Sequence, residues 1–338
     1  MPCSSRQLLA EDAEVSGEYG MPMRLTLLLL LMALLPGAFS QALRPFHWQG
    51  DFRRGEASFF RNDSTPNPRR ARSVAAIAGG GYALSMTYLS LNWYAQEDLG
   101  KFRFFDDSGE WLQFDKAGHM LGGYQASRWM IGLYKWSGIE KRKALLRGGL
   151  AGFMMMNSIE VLDGFGEAWG FSWSDVAANS LGSALAVANQ AAWNEDRIQL
   201  KVSWRPSPYA RVDSLQYLFG STPVEWVLKD YNGLNLWLSF RVHSFLPEGG
   251  LKDRYPRWLN LAFGYGGEGM IGGYGRAPRD LIRAREYRQY YLSLDLDLTQ
   301  IRTRSGFLHS FLQTFGFIRI PLPALRFDRT GLALRAFE

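Results

Sequence analysis

"YYLSLDLDLTQ" (residues 290–300) decides how the second half of this chain is read. Leu292, Leu294, Leu296 and Leu298 take alternate positions, with Ser293, Asp295 and Asp297 between them. A period of two is the spacing of a β-strand, whose successive side chains point to opposite faces. "LNLWLSFRVHSF" (234–245) repeats the pattern: Leu234, Leu236, Leu238, Phe240 and Val242 share one face, and Asn235, Ser239, Arg241 and His243 mostly share the other. "LKVSWR" (200–205) and "RWLNLAFGYG" (257–266) fit further strands. Residues 196–338 are therefore expected to form an antiparallel β-rich region of five or six strands with one wet face. The leucines either pack against helices or face lipid, as in an outer-membrane barrel. A self-contained barrel takes at least about eight strands, which weakens the reading as a small pore.

Upstream the period changes. No charged residue occurs from Ser73 to Gln96, with Arg69, Arg70 and Arg72 before this run and Trp93 and Tyr94 near its end. That length and composition suit a membrane-crossing helix, and Gly79, Gly80 and Gly81 would permit close helix packing. Further helices are expected over about 115–136, over the apolar stretch "GGLAGFMMMNSI" ending at Glu160, and over about 175–193. The middle helices are short for full spans. The expected class is α+β: a bundle of about four apolar helices (73–195), then the β-rich region (196–338).

The start of the chain reads as an export signal. Arg24 precedes an apolar run, Leu25 to Leu35, then Pro36, Gly37 and a small-residue site with Ala38 and Ser40. Cleavage is expected after Ser40. The polar, acidic residues 1–20 suggest that translation begins at Met21 or Met23. Residues 1–40 hold two arginines and four acids, so removing them takes the net charge from +6 to +8. A basic exported chain suits anionic headgroups or acidic glycans. No basic low-complexity run points to nucleic acid. The single cysteine, Cys3, precedes the signal, so the mature chain needs no disulfide. Residues 41–72, with "DSTPNPRRAR", read as a polar linker.

"DKAGHMLGGYQA" (115–126) and "DVAANSLGSALA" (175–186) share Asp, Ala, Leu, Gly and Ala at the same offsets, 60 residues apart. His119 corresponds to Asn179, and Gly123 to Ser183. On a helix, Asp115, His119, Gly122, Gly123 and Ala126 fall on one face, so the polar head would look into a close helix interface. Glu160 and Asp163 lie three apart near a helix C-terminus, where the dipole disfavours carboxylates unless a cation or a proton compensates. Each acid also has a plainer role. Asp115 and Asp175 open helices, where aspartate caps, and Ser172 with Asp175 fits a capping box.

The order D-K-x-x-H, E-x-x-D-G and W-G-F-S-x-x-D-x-x-x-N-x-x-G over about 110–190 resembles the predicted periplasmic lipoprotein family called domain of unknown function 2279. The skeleton is also similar to that of VanZ-like membrane proteins, although Asp163 stands where those carry glutamine. "KDYNGLNLWLS", "AFGYGGEGM" and "YYLSLDLDL" resemble long members of the lipoprotein family from Bacteroidota-type envelopes. The chain departs from the lipoprotein label in having no lipobox cysteine. The resemblance implies an envelope location and a site, not a reaction.

Two functions follow as expectations. In one, Asp115, Lys116, His119, Glu160, Asp163, Asp175 and Asn179 form a catalytic pocket acting on a lipid or lipid-linked glycan. There His119 is general acid or base, Lys116 meets a phosphate, and Asp115, His119, Glu160, Asp163 and Asp175 are candidate ligands of a divalent metal. In the other, the polar network fixes helix packing in an envelope scaffold or a lipid- or glycan-binding protein.

Overall fold

A computed structural model describes residues 62–336, apart from 64, 93–98, 168, 213–214 and 273–285. The expected signal, most of the expected linker, and Trp93 and Tyr94 lie outside the described residues.

Helix α1 runs Pro68–Asn92. Asn67 caps it, its Oδ1 accepting from the Arg69 and Arg70 N–H groups at 3.0 and 3.2 Å, and Pro68 takes the first position, where no N–H is needed. By length and composition α1 could cross a membrane, and almost none of it is buried. It touches α3 through Tyr82, whose OH donates to Ser158 Oγ at 2.7 Å.

Helices α2 (Phe114–Trp136), α3 (Lys141–Asp163) and α4 (Trp173–Ala192) pack side by side. The contacts fix their directions. His119 meets Asn179 and Ser183 meets Gly123, so α2 and α4 run parallel in a register of 60 residues. His119 meets Glu160 while Ser127 meets Gly149, so α3 runs antiparallel to α2. The repeat read in the sequence is thus a pair of facing helices. Their glycines are used for close approach: a Cβ on Gly182 would lie 2.0 Å from the Met120 carbonyl oxygen, and one on Gly152 2.3 Å from the Ser127 nitrogen. Below this contact Tyr124, Ile131, Leu145 and Ala186 form a core with Leu200 of the first strand.

Six strands follow in a meander, each antiparallel to the next: β1 Ile198–Trp204, β2 Leu234–Phe240, β3 Leu259–Glu268, β4 Tyr287–Leu296, β5 Ala324–Asp328 and β6 Gly331–Arg335. The sheet curls back on itself. Just before β5, Ile318 bridges Val202 of β1 in parallel, with Val202 N–H donating to Phe317 O and Arg319 N–H to Val202 O, both at 2.8 Å. One stretch of chain, 317–328, therefore borders both β1 and β4. Helix α5 (Gly306–Phe315), capped by Ser305, leads into this seam.

The alternation that predicts strands is borne out, but the wet face is the buried one. Asn235, Trp237 and Ser239 of β2 are buried, while the intervening Leu234, Leu236, Leu238 and Phe240 are only partly so. In β4, Gln289, Tyr291, Ser293 and Asp295 point inward, and Tyr290, Leu292 and Leu294 are exposed. The inward polar groups are paired, which is what makes their burial tolerable. Lys201 and Asp295, both wholly buried, meet at 2.7 Å, and Lys201 Nζ also donates to Leu296 O at 2.9 Å. Ser239 Oγ donates to Asp295 Oδ2 at 2.6 Å, Arg241 reaches Asp297 at 2.9 Å, and the Arg319 guanidinium lies 3.7 Å from the centre of the Trp237 ring. Helix α5 has the same inversion: His309, Ser310, Gln313 and Thr314 are buried, and Phe307, Leu308 and Phe311 exposed.

Candidate functional site

The polar cluster forms where the start of α2, the end of α3 and the start of α4 come together. The chain enters α2 through three successive left-handed residues, Trp111, Leu112 and Gln113, with φ of 50°, 52° and 64°. None is glycine, so each costs on the order of 1–2 kcal/mol. Packing holds them: Leu112 and Phe114 are buried against Met270, Tyr265 OH donates to the Leu112 carbonyl, and Phe114 stacks on Tyr265 at 5.1 Å. The first turn of α2 then places Asp115, Lys116 and His119 against α3 and α4.

Lys116 is the centre. Its Nζ lies 2.6 Å from Asp107 Oδ2, 2.9 Å from Asp115 Oδ2 and 2.8 Å from Asp175 Oδ1. Asp107 also accepts from the hydroxyls of Ser172 and Ser174 at 2.6 and 2.9 Å. Asp115 Oδ1 accepts from Tyr231 OH at 3.3 Å. His119 Nδ1 stands 3.2 Å from Asn179 Oδ1 and 3.3 Å from Glu160 Oε1. Asn179 Nδ2 in turn donates to Asn157 Oδ1 at 3.4 Å. The other imidazole nitrogen, Nε2, faces Asp115 Oδ1 at 3.8 Å and Asp175 Oδ1 at 3.9 Å, both beyond hydrogen-bond reach.

Neither aspartate is an N-cap. Ser172 caps α4, its Oγ accepting from Asp175 N–H at 3.2 Å, and the position before α2 is Gln113, which makes no side-chain cap. Half of the capping box read at Ser172 is present, the bond from Asp175 N–H to Ser172 Oγ, and the Asp175 carboxylate goes to Lys116.

Four acids share this space with two bases, and the protonation equilibria shift accordingly. Burial pushes Glu160 up to about 8, opposed by His119 and aided by Asp175, Asp163 and Asp115. Burial, with the Asp115 charge, pushes Asp175 up to about 7 against the pull of His119 and Lys116. Burial works against the charge on His119, but Asp115, Asp175 and Glu160 outweigh it and raise its pKa. For Lys116 burial is likewise outweighed by Asp115 and Asp175, which hold it above the ordinary lysine value. Asp115 and Asp107 are shifted down, Asp115 by His119 and Lys116, Asp107 chiefly by Lys116 and Ser172, despite burial of both. Asp175 and Glu160 therefore exchange protons near neutrality, His119 holds its proton more tightly than an ordinary imidazole, and Asp107, Asp115 and Lys116 keep their charges.

Of the residues singled out from sequence, Asp115, Lys116, His119, Glu160, Asp175 and Asn179 converge. Asp163, the last residue of α3, is half-buried and acts on the cluster through its charge on Glu160. Asp115, His119 and Asp175 present one ligand atom each within 4.8 Å of one another, a donor set of two carboxylates and an imidazole that suits a divalent cation. Lys116 already neutralises the same two carboxylates, and on Asp175 it sits 2.8 Å from the same oxygen, Oδ1, that His119 Nε2 faces.

Three members were not anticipated. Asp107 lies in the "FDDSGEW" loop, where an acid before a glycine reads as an ordinary turn. Asn157 sits inside an apolar run on α3. Tyr231 arrives from 116 residues downstream of Asp115, and no local pattern announces it.

The loops around the cluster are aromatic. Residues 99–105 and 164–171 pair, with Arg103 N–H donating to Gly164 O and Phe105 N–H to Phe171 O at 2.8 and 3.0 Å. Phe104 stacks on Trp173, ring centres 6.3 Å apart, and Phe102, Phe165 and Phe171 join edge-on or tilted. Phe104 and Trp173 are about two-thirds exposed, at 65% and 67%.

Residues 103–191 match the model of the family described as "predicted periplasmic lipoprotein", domain of unknown function 2279. No curated protein and no solved structure matches the chain. The family description agrees with the export signal read at residues 24–40: this is an exported, envelope-associated protein.

Proposed function

We propose that the Asp107–Asp115–Lys116–His119–Glu160–Asp175 cluster is a reaction centre for the polar head of a lipid or lipid-linked glycan. One observation carries this reading: among the described residues His119 Nε2 has no hydrogen-bond acceptor within reach, and it faces Asp115 Oδ1 and Asp175 Oδ1 at 3.8 and 3.9 Å. A buried imidazole held at Nδ1 and open at Nε2 is arranged to pass a proton to a third party. The third party is a substrate hydroxyl or water, or a divalent cation held by Asp115, His119 and Asp175. Such a cation would supply an activated water. The exposed Phe104 and Trp173 give an acyl chain or sugar ring a surface beside the polar groups.

Metal analysis of the purified protein, with zinc and manganese titrations, tests the cation. Asp115→Asn and His119→Gln should each abolish a stoichiometric site. Turnover of lipid-linked glycans, measured on the same variants, tests the reaction. A second reading rests on Lys116, which ties the loop at Asp107 to α2 and α4 as a structural strut would. If His119→Gln lowers the melting temperature and changes neither binding nor turnover, the cluster is a packing device and the protein a scaffold.

A further inference from the structure

We infer that the outward face of strands β3–β6 lies in the hydrocarbon of a membrane, with lipid acyl chains as its occupant. The inference does not depend on what the polar cluster does.

It starts from the two faces together. Phe263, Tyr290, Leu292, Leu294, Phe327 and Leu334, spread over four strands, are each 40 to 72% exposed. Registers place them as a grid: Phe263 pairs with Leu292, Leu292 with Leu325, and Phe327 with Leu332. No charged residue stands on that face between Tyr290 and Leu296 of β4 or between Leu259 and Tyr265 of β3. Behind it lie Lys201, Asp295 and Arg319, all but fully buried and ion-paired. In water the opposite arrangement is stable: leucines gain by going inside, and charges lose little by staying out. Charges inside and leucines outside is the distribution that a lipid solvent selects, because the exterior then needs no polar partner and the interior satisfies its own.

Dimensions agree. β3 and β4 have ten residues each. A membrane strand takes about 9–11 residues at a tilt of about 45°. The face is bounded at one end by Arg288 and Tyr290, and at the other by Trp258, the aromatic and basic edges found at headgroup level.

A second copy of the chain is the rival occupant, and the geometry disfavours it. An interface between copies covers one patch. The inversion recurs on α5, which leads into the seam with β1, so the apolar exterior extends beyond the β3–β6 face. The polar cluster then falls at headgroup level, since Tyr265, near one end of β3, stacks on Phe114 at the start of α2.

Spin labels test this. Single cysteines, Phe263→Cys, Leu294→Cys and Leu334→Cys, are placed in a Cys3→Ser background and labelled with a nitroxide. The full chain is reconstituted in phosphatidylethanolamine–phosphatidylglycerol vesicles. Each site replaces a side chain that is already half-exposed, and far-UV circular dichroism checks the fold, with Leu292→Cys or Leu325→Cys as substitutes. Lipid contact predicts strong relaxation by oxygen and loss of relaxation by a water-soluble nickel chelate at all three sites, with the ratio reversed at Arg288→Cys. Nickel access at the three sites overturns the inference. So does low access to both reagents with spin–spin broadening, which would assign the face to a second copy.

Discussion

Between α2 and α4 glycines set backbone against backbone, and polar side chains gather at one end. Inside the curled sheet charged side chains fill the centre, and leucines point away from it. Both regions bury ionised groups in tight clusters. They differ in what balances them. In the sheet each buried charge has an opposite charge close by: Lys201 lies 2.7 Å and Arg319 3.7 Å from Asp295, and Arg241 2.9 Å from Asp297. In the helical cluster four acids face two bases, and the carboxylate oxygens that His119 Nε2 faces, on Asp115 and Asp175, lie beyond hydrogen-bond reach. A matched interior is what a fold needs. An unmatched one, with two carboxyls raised toward neutrality, is what a site for another molecule needs.

Breaking the matched interior should have the largest effect. Lys201→Met leaves Asp295 buried with Arg319 Nε, 3.7 Å away, as its remaining cation. Removing one partner of a buried pair costs about 3–5 kcal/mol. Guanidinium unfolding followed by tryptophan emission should show a loss of that size. Adding Asp295→Leu should recover most of it, since a well-packed apolar pair replaces an ion pair at little cost. No recovery would mean that Asp295 is needed for Ser239 and Arg319 as much as for Lys201.

The helix contact comes next. Gly182→Val forces a side chain into the Met120 carbonyl, and overpacking of this kind costs about 1–3 kcal/mol, occasionally more. Gly118→Ala on α2, next to His119 and with nothing within 4 Å, should stabilise its own helix by about 0.5–1 kcal/mol through helix propensity alone. Opposite signs for two glycines on neighbouring elements would show that the approach of α2 to α4, not glycine content, holds the polar heads together.

Much of this contrast was legible in the sequence, though not its direction. A period of two located β2 and β4, and the 60-residue echo anticipated that His119 and Asn179 would meet. Alternation says that two faces differ but not which one is inside, because that depends on the solvent. Lys201 alone gave no warning that it pairs with Asp295, 94 positions away. In the cluster, the members on helices other than Asn157 were found because helical spacing is regular. Asp107 and Tyr231 come from loops, whose paths follow from tertiary packing and not from any repeat.

The smallest expected effect is a change of slope, and it separates the two kinds of buried charge most cleanly. Glu160 has its pKa raised from 4.5 to about 8 on folding, chiefly by burial. A carboxyl shifted upward binds its proton more tightly in the folded state, so its contribution to stability is complete below the unfolded pKa and fades as the pH rises through the folded one. Asp175, raised from 3.8 to about 7, acts in the same direction, as does His119 with its raised pKa. The melting temperature should therefore fall between about pH 5 and pH 8. Glu160→Gln keeps the shape and cannot ionise, so near pH 5 it should melt close to the parent and then lose stability less steeply toward pH 8. A parent and a variant with parallel profiles would show that Glu160 is already charged beside a protonated His119. The cluster would then be an ordinary set of ion pairs, balanced like the one inside the sheet.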